Sequence, residues 1–188
     1  MPGELEYRGR GVSACATCDG FFFRNKEVAV IGGGNTAVEE AIYLTNFAKK
    51  VTLIHRHDSL RAEKIMQERL LKNEKINVIW NTRVKEIYGN KNCVEGLKLI
   101  NNFDEISDFR VDGVFVAVGH QPATEIFKGS LKIDDFGYIE VLDGVKTSVS
   151  GVFAAGDVCD PHYRQAVVSA AMGCMAAINA DKFLSIEK

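Results

Sequence analysis

No stretch of this chain approaches the run of about 18 apolar residues that reads as a membrane span, and Met1 to Arg10 lacks the charged-then-apolar order of a secretory signal. The expectation is a soluble, cytoplasmic chain with no membrane partner. No Lys/Arg block stands out either: 23 basic residues face 25 acidic ones, and the net charge is -2. Without a basic stripe there is no electrostatic footprint for nucleic acid. Cysteine is scarce, five residues in 188, and only Cys15 and Cys18 lie close together. That excludes a disulfide-stapled secreted scaffold and leaves the pair to be explained by redox or metal chemistry. Internal repeats and low-complexity segments are absent as well. What remains, 46% hydrophobic and 26% charged residues, is the composition of a globular chain able to bury a sizeable core.

The apolar pattern organises that chain. Glu27 to Ile31 (EVAVI) is a short β-branched run ending in three glycines, which reads as a strand entering a tight turn. From Thr36 the apolar residues Ala37, Val38, Ala41, Ile42 and Leu44 fall at helical spacing, and Val51 to His55 is a second buried-type strand. Asp58 or Ser59 is a candidate cap for a helix carrying Ile65, Met66 and Leu70, and Ile76 to Trp80 reads as a third strand. Between Thr82 and Val111 strand-like segments alternate with turn residues, as in an antiparallel meander, before Gly113 to Val118 returns as a central parallel strand. The predicted class is α/β, a Rossmann-like parallel sheet with an antiparallel meander. A boundary is expected near residue 121, giving domains at 1–121 and 122–188. In the second, Gly151 to Asp157 (GVFAAGD) reads as a strand and a long helix runs from about Arg164 to Phe183. So few residues with one helix are too little for a self-sufficient domain, and the alanine- and glycine-rich helix expects a partner element outside this sequence.

Three clusters carry chemistry. Gly32, Gly33, Gly34, Asn35, Thr36 and Ala37 fit GxGxxA between a strand and a helix. Gly32 permits the sharp turn, Gly34 close backbone approach to a pyrophosphate, and Ala37 close helix packing. The second strand ends in His55, Arg56 and His57 with Arg61 nearby, where an NAD site would place an acid. Cations there suit the 2′-phosphate of NADP, unless Arg56 and Arg61 are merely solvated.

Cys15 and Cys18 have the spacing of a dithiol that exchanges reversibly with another disulfide. Zinc would need a second ligand pair, which scattered Cys93, Cys159 and Cys174 do not form, so no metal is expected. Asp19 is a candidate proton donor and acceptor for the thiols, or a turn residue before Gly20. Phe21, Phe22 and Phe23 follow, and three consecutive aromatics on regular structure cannot all face one core. An exposed one would suit docking of a protein disulfide, unless all three pack into the core through an irregular loop. The third cluster is Gly156 and Asp157, then Arg164, Gln165 and Ala166 opening the last helix, an acid and a cation suited to a ribityl hydroxyl and a reduced flavin ring, or equally a plain capping arrangement.

With CATCDGFF at 15–22, VAVIGGGNTAVEEA at 28–41, HRHDSLRAEK at 55–64, FVAVGHQP at 115–122 and GVFAAGDVCDPHYRQA at 151–166, the chain closely resembles the bacterial low-molecular-weight thioredoxin reductases. The resemblance runs over essentially the whole sequence, with the motifs in the family's order. It implies a flavoprotein in which NADPH reduces FAD, the flavin reduces the CxxC disulfide, and the dithiol reduces thioredoxin. It further implies that Cys18 faces the flavin, that Cys15 attacks the thioredoxin disulfide, that Asp19 is the acid/base, that Gly32 to Ala37 hold the NADPH pyrophosphate, that Asp157 to Ala166 touch flavin, and that the protein is a homodimer. Two departures stand out. The family's first, FAD-binding half does not precede Cys15 here, so residues 122–188 are expected to be only the C-terminal part of a FAD-binding domain; a truncated or split NADP(H)-binding module is the alternative reading. The usual HRR is HRH. The related flavoprotein subunit of alkyl hydroperoxide reductase would be expected to carry an acid near Arg56.

Overall fold

The computed structural model describes residues 1–186. It divides into two compact units, Met1–Gly119 and His120–Lys188.

The first unit is built on five parallel strands in the order β1-β8-β2-β3-β4. They are β1 (Val12–Ser13), β2 (Glu27–Gly32), β3 (Lys50–Ile54), β4 (Ile76–Ile79) and β8 (Gly113–Ala117). Helices α1 (Ala16–Asp19), α2 (Asn35–Leu44) and α3 (Lys64–Leu71) intervene, and β5 (Thr82–Gly89), β6 (Val94–Asn101) and β7 (Ile106–Arg110) form a separate antiparallel sheet. The central strands are apolar throughout because both sheet faces are covered, and side chains alternate between those faces. Val28, Val30, Leu53 and Phe115 turn to one side, where Val38, Ala41, Leu44 and Leu70 of the helices meet them. Ala29, Ile31, Val114 and Val116 turn to the other, where Ile87, Leu97 and Leu99 of the meander close over them. The result is three layers with two cores, and the α/β class and meander are as the sequence predicts.

Local boundaries differ instructively. Neither Asp58 nor Ser59 caps α3; its preceding residue is Glu63, with no side-chain cap bond, and residues 56–63 run as a loop in which Leu60 and Ala62 are buried and the Glu63 N–H is taken by Asn35 Oδ1 at 2.8 Å. The first strand, β1, lies in a segment that carries no periodic signal; only two residues long, it is held at the sheet edge by β8.

In the second unit the strand expected over Gly151 to Asp157 is not formed. Phe153 makes one isolated bridge to Lys146, and Gly156–Val158 is a 3-10 turn. Among the described residues, no neighbouring strand of the unit offers this segment a ladder. Helix α4 spans Ala166–Ile186, so Arg164 and Gln165 precede it rather than open it. By length and composition, Ala166–Ser185 is apolar enough to cross a membrane, which corrects the expectation that no window comes near a span. Alanine, valine and methionine raise the average although Ser169, Asn179, Asp181 and Lys182 interrupt the run. None of that window is buried.

Candidate functional site

The carboxyl ends of β2, β3 and β8 converge where the chain order in the sheet reverses, the place where open α/β sheets bind ligands. A cleft of about 380 Å³ lies there, lined by Gly32, Gly33, Gly34, Thr36, Arg56 and Arg61 among others. Each glycine has its own reason. A Cβ on Gly32 would strike the Ala117 carbonyl and sit 2.7 Å from the Ala37 Cβ, so Gly32 and Ala37 together let strand and helix touch. On Gly33 it would enter the His55 ring, whereas on Gly34 it would meet nothing within 4 Å, leaving that backbone open to the cleft. Asn35 does not line the cleft; its side chain fastens the Glu63 N–H.

The loop after β3 is tied to the glycine turn at several points. The Arg61 N–H donates to the Gly33 carbonyl at 2.8 Å, and buried His55 presses its ring on Gly33 while Nε2 donates to the Ser59 carbonyl at 3.0 Å. Burial first, then the nearby His57 and Arg61, hold His55 below the ordinary histidine value against the pull of the Ser59 and Gly32 carbonyls. Arg56 and Arg61 are exposed at the cleft, and Arg56 Nε donates to His57 Nε2 at 3.1 Å. His57 itself does not line it. Sequence reasoning missed Thr82, Arg83 and Val84, which bring a third guanidinium from the start of β5. Only the fold, which turns the chain back beside β3, could have revealed them.

None of Cys15, Cys18 and Asp19 lines this cleft. Cys15 and Cys18 are joined as a disulfide bracketing α1, with Cα atoms 5.3 Å apart. Cys15 Sγ accepts from the Cys18 N–H at 3.2 Å and lies 3.3 Å from Thr17 Oγ1; a disulfide sulfur has no proton, so the hydroxyl donates. Both donors favour negative charge on Cys15 once the bond is broken. Cys18 is exposed and Cys15 half-buried. Asp19 contributes its N–H to the Cys15 carbonyl at 3.1 Å. Of the three phenylalanines, Phe23 is buried while Phe21 and Phe22 are 60% and 70% exposed beside the disulfide.

In the second unit Asp160 takes the N–H groups of His162, Tyr163 and Arg164 on one carboxylate. Burial would raise that carboxyl, and the three donors outweigh it and hold it low. The turn presents Arg164, at φ 48°, whose Nη1 donates to His120 Nδ1 at 2.9 Å. Burial and that guanidinium keep His120 below its ordinary value, against the pull of Asp157. Asp157 accepts from Ser169 Oγ on α4 at 3.2 Å, and Gln165 Nε2 donates to the Tyr163 carbonyl. Gly156, at φ 79°, supplies the turn, and Ala166 begins the helix. Among the described residues there is no cluster of three or more His, Cys, Asp or Glu suited to a metal ion.

The signature of the pyridine nucleotide-disulphide oxidoreductase family matches residues 1–173. The thioredoxin reductase of Rickettsia conorii is 58% identical over 189 residues, covering 98% of this chain and 61% of the relative. That of Escherichia coli O157:H7 is 54% identical over 194 residues, with 98% and 60% covered. Among solved structures, thioredoxin reductase from Streptococcus pyogenes superimposes with a TM-score of 0.92 at 45% identity, again over 98% of this chain and 61% of that one. The chain thus spans about three fifths of the length of these relatives.

Proposed function

Because the chain belongs to the pyridine nucleotide-disulphide oxidoreductase family, we propose that it is the NADPH- and dithiol-bearing portion of a thioredoxin-disulfide reductase, passing electrons from NADPH through FAD and the Cys15/Cys18 pair to the thioredoxin disulfide. The observation that carries this is the pairing, within one unit, of a disulfide bracketing α1 with a glycine-turn cleft rimmed by arginines. When bound, NADPH supplies a hydride and FAD relays its two electrons singly or as a pair to sulfur.

The residues of the chain have these roles. Gly32 to Ala37 present the turn and the first N–H groups of α2 to the pyrophosphate. Arg56 and Arg61, with His57 orienting Arg56, receive the 2′-phosphate that NADH lacks. The Cys18 N–H and Thr17 hydroxyl stabilise Cys15 as the departing and then attacking thiolate, and Cys18 resolves. Asp19 moves the proton. Asp157, Arg164, Gln165 and Ala166, supported by His120, Ser169 and Gly156, fit a flavin's hydroxyls and ring as one wall of its site. Thioredoxin docks on Phe21 and Phe22, the assembly is a homodimer, and the setting is the cytoplasm.

A second reading rests on the glycine-turn cleft alone: an NADP(H)-binding module inactive until a separate FAD-binding half is supplied. One experiment tests both. The chain is fused to, or mixed with, the FAD-binding half of a relative, and thioredoxin reduction by NADPH is followed. Turnover on mixing or fusion that Cys15→Ser and Cys18→Ser each abolish, with NADPH binding intact, is expected; turnover surviving either substitution overturns the assignment.

A further inference from the structure

The helix that opens at the glycine turn also reaches the short helix that the disulfide brackets. Glu40, on α2, accepts the backbone N–H of Ala16 at 3.3 Å through Oε1. Ala16 is buried and follows Cys15 directly, and Glu40 is half-buried, whereas its neighbour Glu39 is exposed. Cys15 therefore has two neutral donors at its sulfur, from Cys18 and Thr17, and a carboxylate across the next peptide group. Acids on the elements around it include Asp19, whose N–H bonds the Cys15 carbonyl, and Glu40 from the helix packed against α1.

We propose that Glu40 is a positioning residue for the dithiol, binding the Ala16 N–H and setting, by its charge, how readily Cys15 ionises and how strongly the pair reduces. The inference rests on the redox reading of Cys15 and Cys18. In each exchange the Cys15 thiolate attacks one sulfur of a partner disulfide, forming a mixed disulfide and releasing the partner's other sulfur as thiolate. Cys18 thiolate then attacks Cys15, closing the Cys15–Cys18 bond and releasing the partner's first sulfur. The chain's dithiol loses two electrons and two protons, and the partner gains them. A carboxylate beside Cys15 disfavours the thiolate in the reduced state, and a less stable reduced state makes a stronger reductant.

The test uses the 188-residue chain. In a Cys18→Ser background, the rate of Cys15 alkylation by iodoacetamide is followed by peptide mass spectrometry from pH 6 to 10, with and without Glu40→Gln. The expected result is a rise of about tenfold near pH 7, the scale of one nearby like charge, with the profiles converging near pH 10 where a thiol ionises regardless. Glu39→Gln changes little, and Glu40→Asp, which keeps the charge, retains the parent profile. With both cysteines present, equilibration against dithiothreitol redox buffers at a pH above the thiol range shifts toward the dithiol by about tenfold in Glu40→Gln, which is about 30 mV for a two-electron couple. Reversible exchange with the same profile and equilibrium in Glu40→Gln and parent overturns the role of Glu40 and leaves the redox reading standing. Failure of the parent pair to exchange at all overturns the redox reading and this inference with it.

Discussion

The two units differ in how they keep their apolar residues from water. In Met1–Gly119 every central strand is sandwiched, and the largest side chains of the sheet, Phe115, Leu53 and Ile54, are fully enclosed. In His120–Lys188 the buried apolar cluster is Ile139, Ala154 and Cys159 with partly covered neighbours, while Ile126, Phe136, Leu142, Tyr163 and Val167 stand exposed. The second unit keeps its shape through turn hydrogen bonds such as those of Asp160. Burial specifies the first unit and local polar geometry the second, so the two should respond differently to the same insult.

Separation is the harshest one. A fragment of residues 1–119 should unfold in a single cooperative urea transition, and a fragment of residues 120–188 should show none, because small units bury too little surface to offset chain entropy. A cooperative transition in the smaller fragment breaks the comparison. Next in size is a single added side chain. Gly33→Val drives carbon into the His55 ring and should lower the stability of the first unit by about 1–3 kcal/mol in urea melts, while weakening NADPH binding measured by calorimetry through the displaced turn. The matching change in the second unit, Gly173→Ala, meets nothing within 4 Å and should stabilise α4 by up to about 1 kcal/mol.

Charge at the cleft comes third. Arg56→Ala should weaken NADPH by about tenfold or more while leaving NADH nearly unchanged, the loss of one charge-assisted bond. Equal losses for both cofactors would show that this loop does not read the 2′-phosphate. Smallest is the response to acid. His55 is held below its ordinary value, so its contribution is complete above about pH 6.5 and fades as pH falls through the folded value. Asp160 is held low as well, and its contribution persists above about pH 4 and fades only below. Amide signals of Gly33, which touches the His55 ring, should therefore stay put above about pH 6.5 and shift only below it in an NMR titration, and a shift complete above that pH would contradict the assignment.

The same contrast explains what could be read in advance. EVAVI, VTLIH and GVFVA announce themselves because a doubly covered parallel strand must be apolar at every position, and the glycine run fixes the turn that follows. Where packing is set from outside the segment, the text is silent. Val12 and Ser13 become a strand only because β8 lies beside them. GVFAAGD has strand-like composition yet no partner ladder, and Asp58 and Ser59 have capping side chains but sit in a loop pinned by buried Leu60 and Ala62. Arg83 and Glu40 enter their sites through long-range topology, which local spacing cannot encode.

Helix α2 has a mechanical consequence of its own. It begins at the glycine turn, and Glu40, six residues past Gly34, meets the disulfide helix. At 1.5 Å per residue that is about 9 Å of axial rise along one continuous rod. Whatever the glycine turn holds and the sulfur pair are therefore passengers at the two ends of one short lever, joined at its far end by the Glu40 carboxylate.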